Sequence, residues 1–185
     1  MPDYSAYPGN NYNWEYVYGN IREEIPYNMP TPKGREVKIT MFADANLYHD
    51  KVTGRSVTGL LMMLNGTPID WFSKKQSCVE TATYGSEFVA ARICAEQIID
   101  LRNTLRCLGV PTRDKNYIFG DNESVVNSSS IPHHKLHKHH TALSFHRVCE
   151  AIASKFISFY FLPGANNPAD ILSKHWSYAA NWENL

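Results

Sequence analysis

The chain has 185 residues, of which 43% are hydrophobic and 19% charged, with a formal net charge of zero; that allows one well-buried domain with a tail and is short for two. A neutral total excludes nucleic-acid binding driven by bulk positive charge, so any such contact has to rest on local patches or bound cations. No apolar run approaches the roughly 18 residues that span a membrane, and Cys78, Cys94, Cys107 and Cys149 form no CxxC pair, which points to reduced intracellular thiols rather than a disulfide framework or a cysteine-built zinc site.

Residues 1–36 hold six of the eleven tyrosines and five of the ten prolines. They show little periodicity, and "MPDYSAYPGNNYNW" lacks the basic start and apolar core of a secretory signal. We read them as an arm, partly ordered at best, that ends in an extended linker, "NMPTPKG". Three short apolar runs follow, "VKITMFAD", "SVTGLLMMLN" and "TPIDWFSK", and the Asn-Gly after the second is a strong hairpin signal. Three antiparallel strands are expected, with Trp71 and Phe72 alternating into the core.

"SCVE" at 77–80 has the form of a capping box. Phe88, Ala91, Ala95, Ile98, Leu101, Leu105 and Leu108 then recur every three or four residues, which predicts a long amphipathic helix stopped by "GVP" at 109–111. "NYIFGD" predicts a fourth strand and "NESVVNSSS" a short helix. "HHTALSFHRVCEAIAS" predicts a further helix, burying Leu143, Val148 and Ile152. "KFISFYFLP" is a fifth strand by its β-branched and aromatic content, and "NPADILSK" a last helical turn with Pro168 near its start. The order β-β-β-α-β-α-β-α predicts an α/β domain with a five-stranded mixed sheet and helices on its faces.

Four carboxylates fall at comparable places. Asp44 and Asp121 end apolar strands, Glu87 lies in the first turns of the long helix, and Asp170 opens the last turn. With the first strand central and the fourth beside it, both strand-end acids emerge at one sheet edge, where Glu87 and Asp170 can join them. Crowded carboxylates raise one another's pKa and need compensation. Oxygen donors with no histidine or cysteine among them suit Mg²⁺ or Mn²⁺. Two such ions can stabilise the attacking and leaving oxygens of a phosphodiester displacement. The alternative is that each acid separately caps a helix or pairs with a surface lysine.

"FADANLYHD", "TGRSVTGLLMMLNGTPIDWFSKKQSCVETATYGSEFVA", "GDNESVV" and "NPADILSK" stand in this order along the chain. Through them residues 37–178 resemble the ribonuclease H domain of copia-type LTR-retrotransposon polyproteins. The resemblance implies the ribonuclease H fold and cleavage of the RNA strand of RNA–DNA hybrids with two Mg²⁺ ions, for which Mn²⁺ can substitute. The family's metal-holding, catalytic carboxylates fall on Asp44, Glu87, Asp121 and Asp170. "YGNIREEIP" is similar to the segment that precedes this domain in such polyproteins, and reverse transcriptase or other polyprotein parts are the implied partners. Many cellular ribonucleases H carry a Gly-His pair before the last aspartate, where this chain has Gly164-Ala165. Polymerase signatures are absent, and Phe156 stands where the integrase relatives of the fold have their glutamate.

Asn46, Ser86 and Asn122, beside the acids, are candidates for reading the 2′-hydroxyls of RNA. "HHKLHKHH" at 133–140 admits three readings: a transition-metal site of His133, His137 and His140, a phosphate-facing patch with Lys135, Lys138 and Arg147, or a solvated loop. Lys51, Arg55, Lys74 and Lys75 offer a second basic strip near the hairpins. Residues 179–185 read as a C-terminal tail. The functional reading is a ribonuclease H module acting in a cytoplasmic particle or the nucleus, with no membrane attachment. Its rival is an inactive remnant, or a recruited module that binds nucleic acid or a polymerase partner.

Overall fold

The computed structural model describes residues 13–132 and 141–174. Strand β1 (Ile39–Asp50) runs antiparallel to β2 (Arg55–Leu64), which in turn pairs antiparallel with β3 (Thr67–Lys75). The β2–β3 link is Asn65-Gly66, both at positive φ (52° and 84°), the two-residue turn whose twist matches that of the strands it joins. Strands β4 (Asn116–Gly120) and β5 (Ile157–Phe161) add in parallel on the other side of β1, giving the order β3-β2-β1-β4-β5. The expected mixed sheet is present, with the first strand central and the fourth beside it.

Helix α2 (Thr83–Cys107) packs on β1. Ile39, Met41, Ala43 and Ala45, every second residue of β1, are buried in one cluster with Phe88, Ala91, Cys94, Ala95 and Ile98 of the helix. The small residues at its centre let the helix lie close against the strand. Helices α3 (Glu123–Ser130) and α4 (Ala142–Ala153) complete the main layer, and α5 (Asp170–Ser173) is a single turn against β1 and β2.

Several expectations need correction. Helix α2 begins at Thr83 behind Ala82, which makes no side-chain cap, so "SCVE" is not a capping box. The chain instead tucks Gln76 and Glu80 into the interior under the helix start. A Cβ on Gly85 would meet the Glu80 carboxylate, so the glycine gives that side chain room under the helix start. Leu108 lies past the helix end and is 72% exposed. On α4 the buried stripe is Phe145, Val148, Cys149 and Ile152; Leu143 falls outside that spacing and is 86% exposed. Trp71 is 65% exposed because it points to the opposite face of β3 from Phe72, which packs against the core.

The arm is more engaged than its composition suggests. Within it, α1 (Glu15–Tyr18) touches α4, Trp14 is buried in the main core, and the Tyr18 hydroxyl lies 3.0 Å from His146 Nδ1. Glu23 accepts hydrogen bonds from Arg102 Nε (2.5 Å) and Nη2 (2.7 Å) and from both terminal nitrogens of Arg106 (2.8 and 2.7 Å). Burial raises the Glu23 pKa, but the two guanidinium groups outweigh it and hold the carboxyl below its ordinary value. The first twelve residues, the histidine-rich stretch 133–140 and residues 175–185 lie outside the described residues.

Candidate active site

The parallel β1–β4 ladder ends at the pair Ala43–Gly120. Asp44 and Asp121 are the next residue on each chain, so both acids leave the sheet at the same point. Asp44 does not end its strand, contrary to expectation. Strand β1 continues to Asp50 paired with β2, and what stops at Ala43 is only the pairing with β4. The acid therefore stands at a fork in the sheet.

Glu87 reaches the fork from the first turns of α2, where its Oε1 accepts from the Ala45 backbone N–H at 3.2 Å. Asp44, Glu87 and Asp121 each offer a carboxylate oxygen, and these lie within 4.8 Å of one another. Asp44 and Glu87 are buried, at 3% and 5% exposure, so the acids meet where water screens them poorly. Burial above all, with Asp121 and Asp170 beside it, pushes the Asp44 pKa up to about 6 against the opposing Ser173 hydroxyl and Lys174. Burial also raises Glu87 well above the usual carboxylate range, helped by Asp44 and Asp121. An all-oxygen, acid-rich cluster of this kind is a fitting site for a hard divalent cation, whose charge would relieve the repulsion.

Asp170 is the least integrated of the four. It lies outside the tight group of three, and its carboxylate is paired with Lys174 Nζ one turn along α5. That pairing leads the causes that raise the Lys174 pKa. The turn is fastened to the fork by residues not anticipated from sequence. Ser173 Oγ donates to Asp44 Oδ2, and Asn167 Nδ2 donates to the Ala43 carbonyl at 2.8 Å, beside Asp44. Asn167 Oδ1 in turn accepts from Ala169 N at 3.1 Å. Gly59, paired with Asp44 across the ladder, leaves the room: a Cβ there would lie 2.7 Å from both Ala169 O and Ser173 N. Asn167 and Ser173 sit in the segment that Asp170 had already marked, whereas Gly59 lies on β2. Their tethering roles depend on the tertiary approach of α5 to β1 and β2, which no local spacing encodes.

The other sequence candidates have mixed positions. Asn46 is half-buried near the fork and contacts His49 Nδ1 at 3.1 Å. Asn122 is the N-cap of α3, accepting from Val125 N at 3.2 Å. Ser86 is fully buried and donates to Thr83 O at 2.9 Å, which leaves no face for a substrate. Arg147 lies on α4, 3.6 Å from Glu150. Lys75 is paired with Asp50 at 2.8 Å. Lys135, Lys138, His133, His137 and His140 fall outside the described residues.

No protein-family model matches the chain. It is 28% identical over 134 residues to the retrovirus-related Pol polyprotein from transposon TNT 1-94 of Nicotiana tabacum, an alignment covering 72% of this chain. It is 24% identical over 148 residues to the corresponding polyprotein from transposon RE1 of Arabidopsis thaliana, covering 80% of this chain. The chain spans about a tenth of the length of these relatives. Among solved structures, RNase H1 of Halobacterium salinarum NRC-1 superposes with a TM-score of 0.56 at 15% identity, over 74% of this chain and 94% of that one. LC11-RNase H1 in complex with an RNA/DNA hybrid gives 0.57 at 16% identity, over 73% and 93%. The protease-reverse transcriptase of prototype foamy virus gives 0.52 at 13% identity, over 84% of this chain and 23% of that one. The fold is therefore that of the ribonucleases H, and the relatives are retroelement Pol polyproteins, as the resemblance implied.

Proposed function

We propose that this chain, ribonuclease H-like in fold and related to retrotransposon Pol polyproteins, hydrolyses the RNA strand of RNA–DNA hybrids during reverse transcription. The observation that carries the reading is the convergence of Asp44, Glu87 and Asp121 at the fork of β1 and β4, with Asp170 beside them. These four acids would hold two Mg²⁺ ions, or Mn²⁺ in their place. When bound, the ions would lower the pKa of the attacking water and offset the charge that builds on the leaving 3′-oxygen.

The protein's own contribution is placement. Asp44 is fixed at the fork by the Ser173 hydroxyl and by its strand, Glu87 by the Ala45 amide, and Asp170 by Lys174. The burial of Asp44 and Glu87 keeps bulk water from screening the charges that act on a phosphate. Discrimination of RNA from DNA would use 2′-hydroxyl contacts in the wide minor groove, with Asn46 and Asn122, each beside an acid in the chain, as candidates. Residues 37–178 are taken as the catalytic domain. The hybrid is its substrate, and the remaining parts of a polyprotein are its partners.

The test is cleavage of an end-labelled RNA–DNA hybrid in Mg²⁺ and in Mn²⁺, beside Asp44→Asn. Cleavage confined to the RNA strand, and lost in chelator and in the variant, is the expected result. A folded protein that cuts in neither metal would refute the reading and favour an inactive binding module.

A further inference from the structure

The geometry points to Gln76 as the positioning residue that fixes the Glu87 carboxylate over the β1–β4 fork. The inference rests on the ribonuclease H reading and adds to it a residue that touches neither ion nor substrate.

Gln76 follows the last residue of β3 and is 4% exposed. Its backbone N–H donates to Ser56 O at 2.8 Å, which anchors it to β2. Its side-chain amide spends both hydrogens within the interior. Nε2 donates to Thr58 Oγ1 and to the Ser86 carbonyl, each at 2.9 Å. These two acceptors belong to different layers of the molecule, the first to the sheet and the second to the opening turn of α2.

The contacts close a ring. Thr58 is the cross-strand partner of Ala45. The Ala45 N–H donates to Glu87 Oε1 at 3.2 Å, and Glu87 is bonded through its own peptide to Ser86. The path from Glu87 to Ala45, across the ladder to Thr58, through Gln76 and back by Ser86 is therefore continuous. Every link is a hydrogen bond, a strand pair or a peptide bond. Without Gln76, the start of α2 would be joined to the sheet on this path only through the Glu87 carboxylate itself, the group that has to bind metal.

Two further observations say why such a brace is needed here. The N-cap of α2 is Ala82, which supplies no side-chain bond, so the helix start has no cap of its own to define it. In addition, Gln76 Oε1 is buried and has no hydrogen-bond partner among the described residues. Turning the amide over would give up both donor bonds. A buried acceptor left unpaired is unfavourable and calls for an explanation in function or position.

The test compares Gln76→Met, which keeps length and burial and removes the donors, with Val148→Ala, a core change on α4 at a residue that is not part of the ring. Both are measured for Mn²⁺ affinity by electron paramagnetic resonance, for exchange of the Ala45 amide proton, and for kcat and KM on the hybrid. For Gln76→Met we expect Mn²⁺ binding weaker by about tenfold, in the range for outer partners of metal ligands. We also expect faster exchange at Ala45, and kcat lower by about a hundredfold with KM nearly unchanged. Val148→Ala should lower thermal stability and leave Mn²⁺ affinity and Ala45 exchange as in the parent. Gln76→Met with parental Mn²⁺ affinity and Ala45 exchange overturns the inference, as does equal loss in Val148→Ala. If the parent protein does not cut the hybrid, the nuclease reading fails alone, because metal affinity and amide exchange still decide the role of Gln76.

Discussion

Replacing Asp44 by Asn should make the metal-free protein more stable while abolishing cleavage. In the folded protein the Asp44 carboxyl holds its proton up to about pH 6, against 3.8 for the free side chain, because it is buried beside Asp121 and Asp170. At 1.36 kcal/mol per tenfold change in proton affinity, ionising it in the fold costs about 3 kcal/mol at neutral pH. Asn has no charge to bury and can still accept from Ser173 Oγ, though less strongly, which returns about 1 kcal/mol. The net gain of about 2 kcal/mol corresponds to a rise in melting temperature of about 4–8 °C for a chain of this size. The folded state binds the proton more tightly than the unfolded one, so parental stability rises as pH falls through about 6 towards 3.8. The advantage of the variant is thus full above about pH 6 and gone below about pH 4. Thermal unfolding in chelator at about pH 7.5 and about pH 4, repeated with Mg²⁺ at the higher pH, measures all of this. Mg²⁺ should stabilise the parent by mass action and barely move the variant. A variant less stable than its parent in chelator at neutral pH, or one whose gain persists undiminished in acid, would refute the reasoning.

Gly59→Ala should weaken Mn²⁺ binding and lower kcat with the sheet intact, because its methyl group meets the backbone of α5 at 2.7 Å and can only displace it; unchanged metal affinity by calorimetry would contradict this. Glu23→Gln should cost about 3 kcal/mol in urea unfolding at neutral pH, since it leaves Arg102 buried without its counter-charge. The Glu23 pKa is depressed in the fold, so that stabilisation is present above the ordinary 4.5 and lost as pH falls through the folded value; a difference that does not shrink in acid would argue against the pair. Lys174→Met should tighten Mn²⁺ binding several-fold by freeing Asp170 from its internal cation; equal or weaker binding would mean that Asp170 is not available to metal.

The element order and the sheet were legible because alternation in β1 and the three-to-four spacing in α2 are strong, local signals. The acids were legible for a related reason: each breaks an apolar pattern at an element boundary or close to one. Three of them do meet, and the fourth stands beside them. What was not legible depends on neighbours distant in sequence. Asp44 looks like a strand end because the apolar run stops there, yet β2 carries the strand on for six more residues, to Asp50. Trp71 and Phe72 are neighbours on one strand and so face opposite sides, and only the packing of the helices decides that Phe72 is the one covered. Ser77 and Glu80 have cap-box spacing, but Glu80 is drawn inward beneath Gly85 and the helix starts later. Trp14 and Glu23 stand in a stretch without periodicity, and only the far faces of α2 and α4 reveal them as anchors.

The exposed position of β3 bears on self-association. An outer strand offers unpaired backbone groups to any neighbouring sheet, and the exposed Trp71 makes the strand attractive as well. The strand carries its own deterrents. Pro68 has no N–H to donate, the ladder to β2 shifts register between Met62 and Met63, and Asp70, Lys74 and Lys75 place charge along the strand. Strand-to-strand polymerisation through this edge is thus disfavoured by the strand's own residues, so a high local concentration of copies need not lead to fibres.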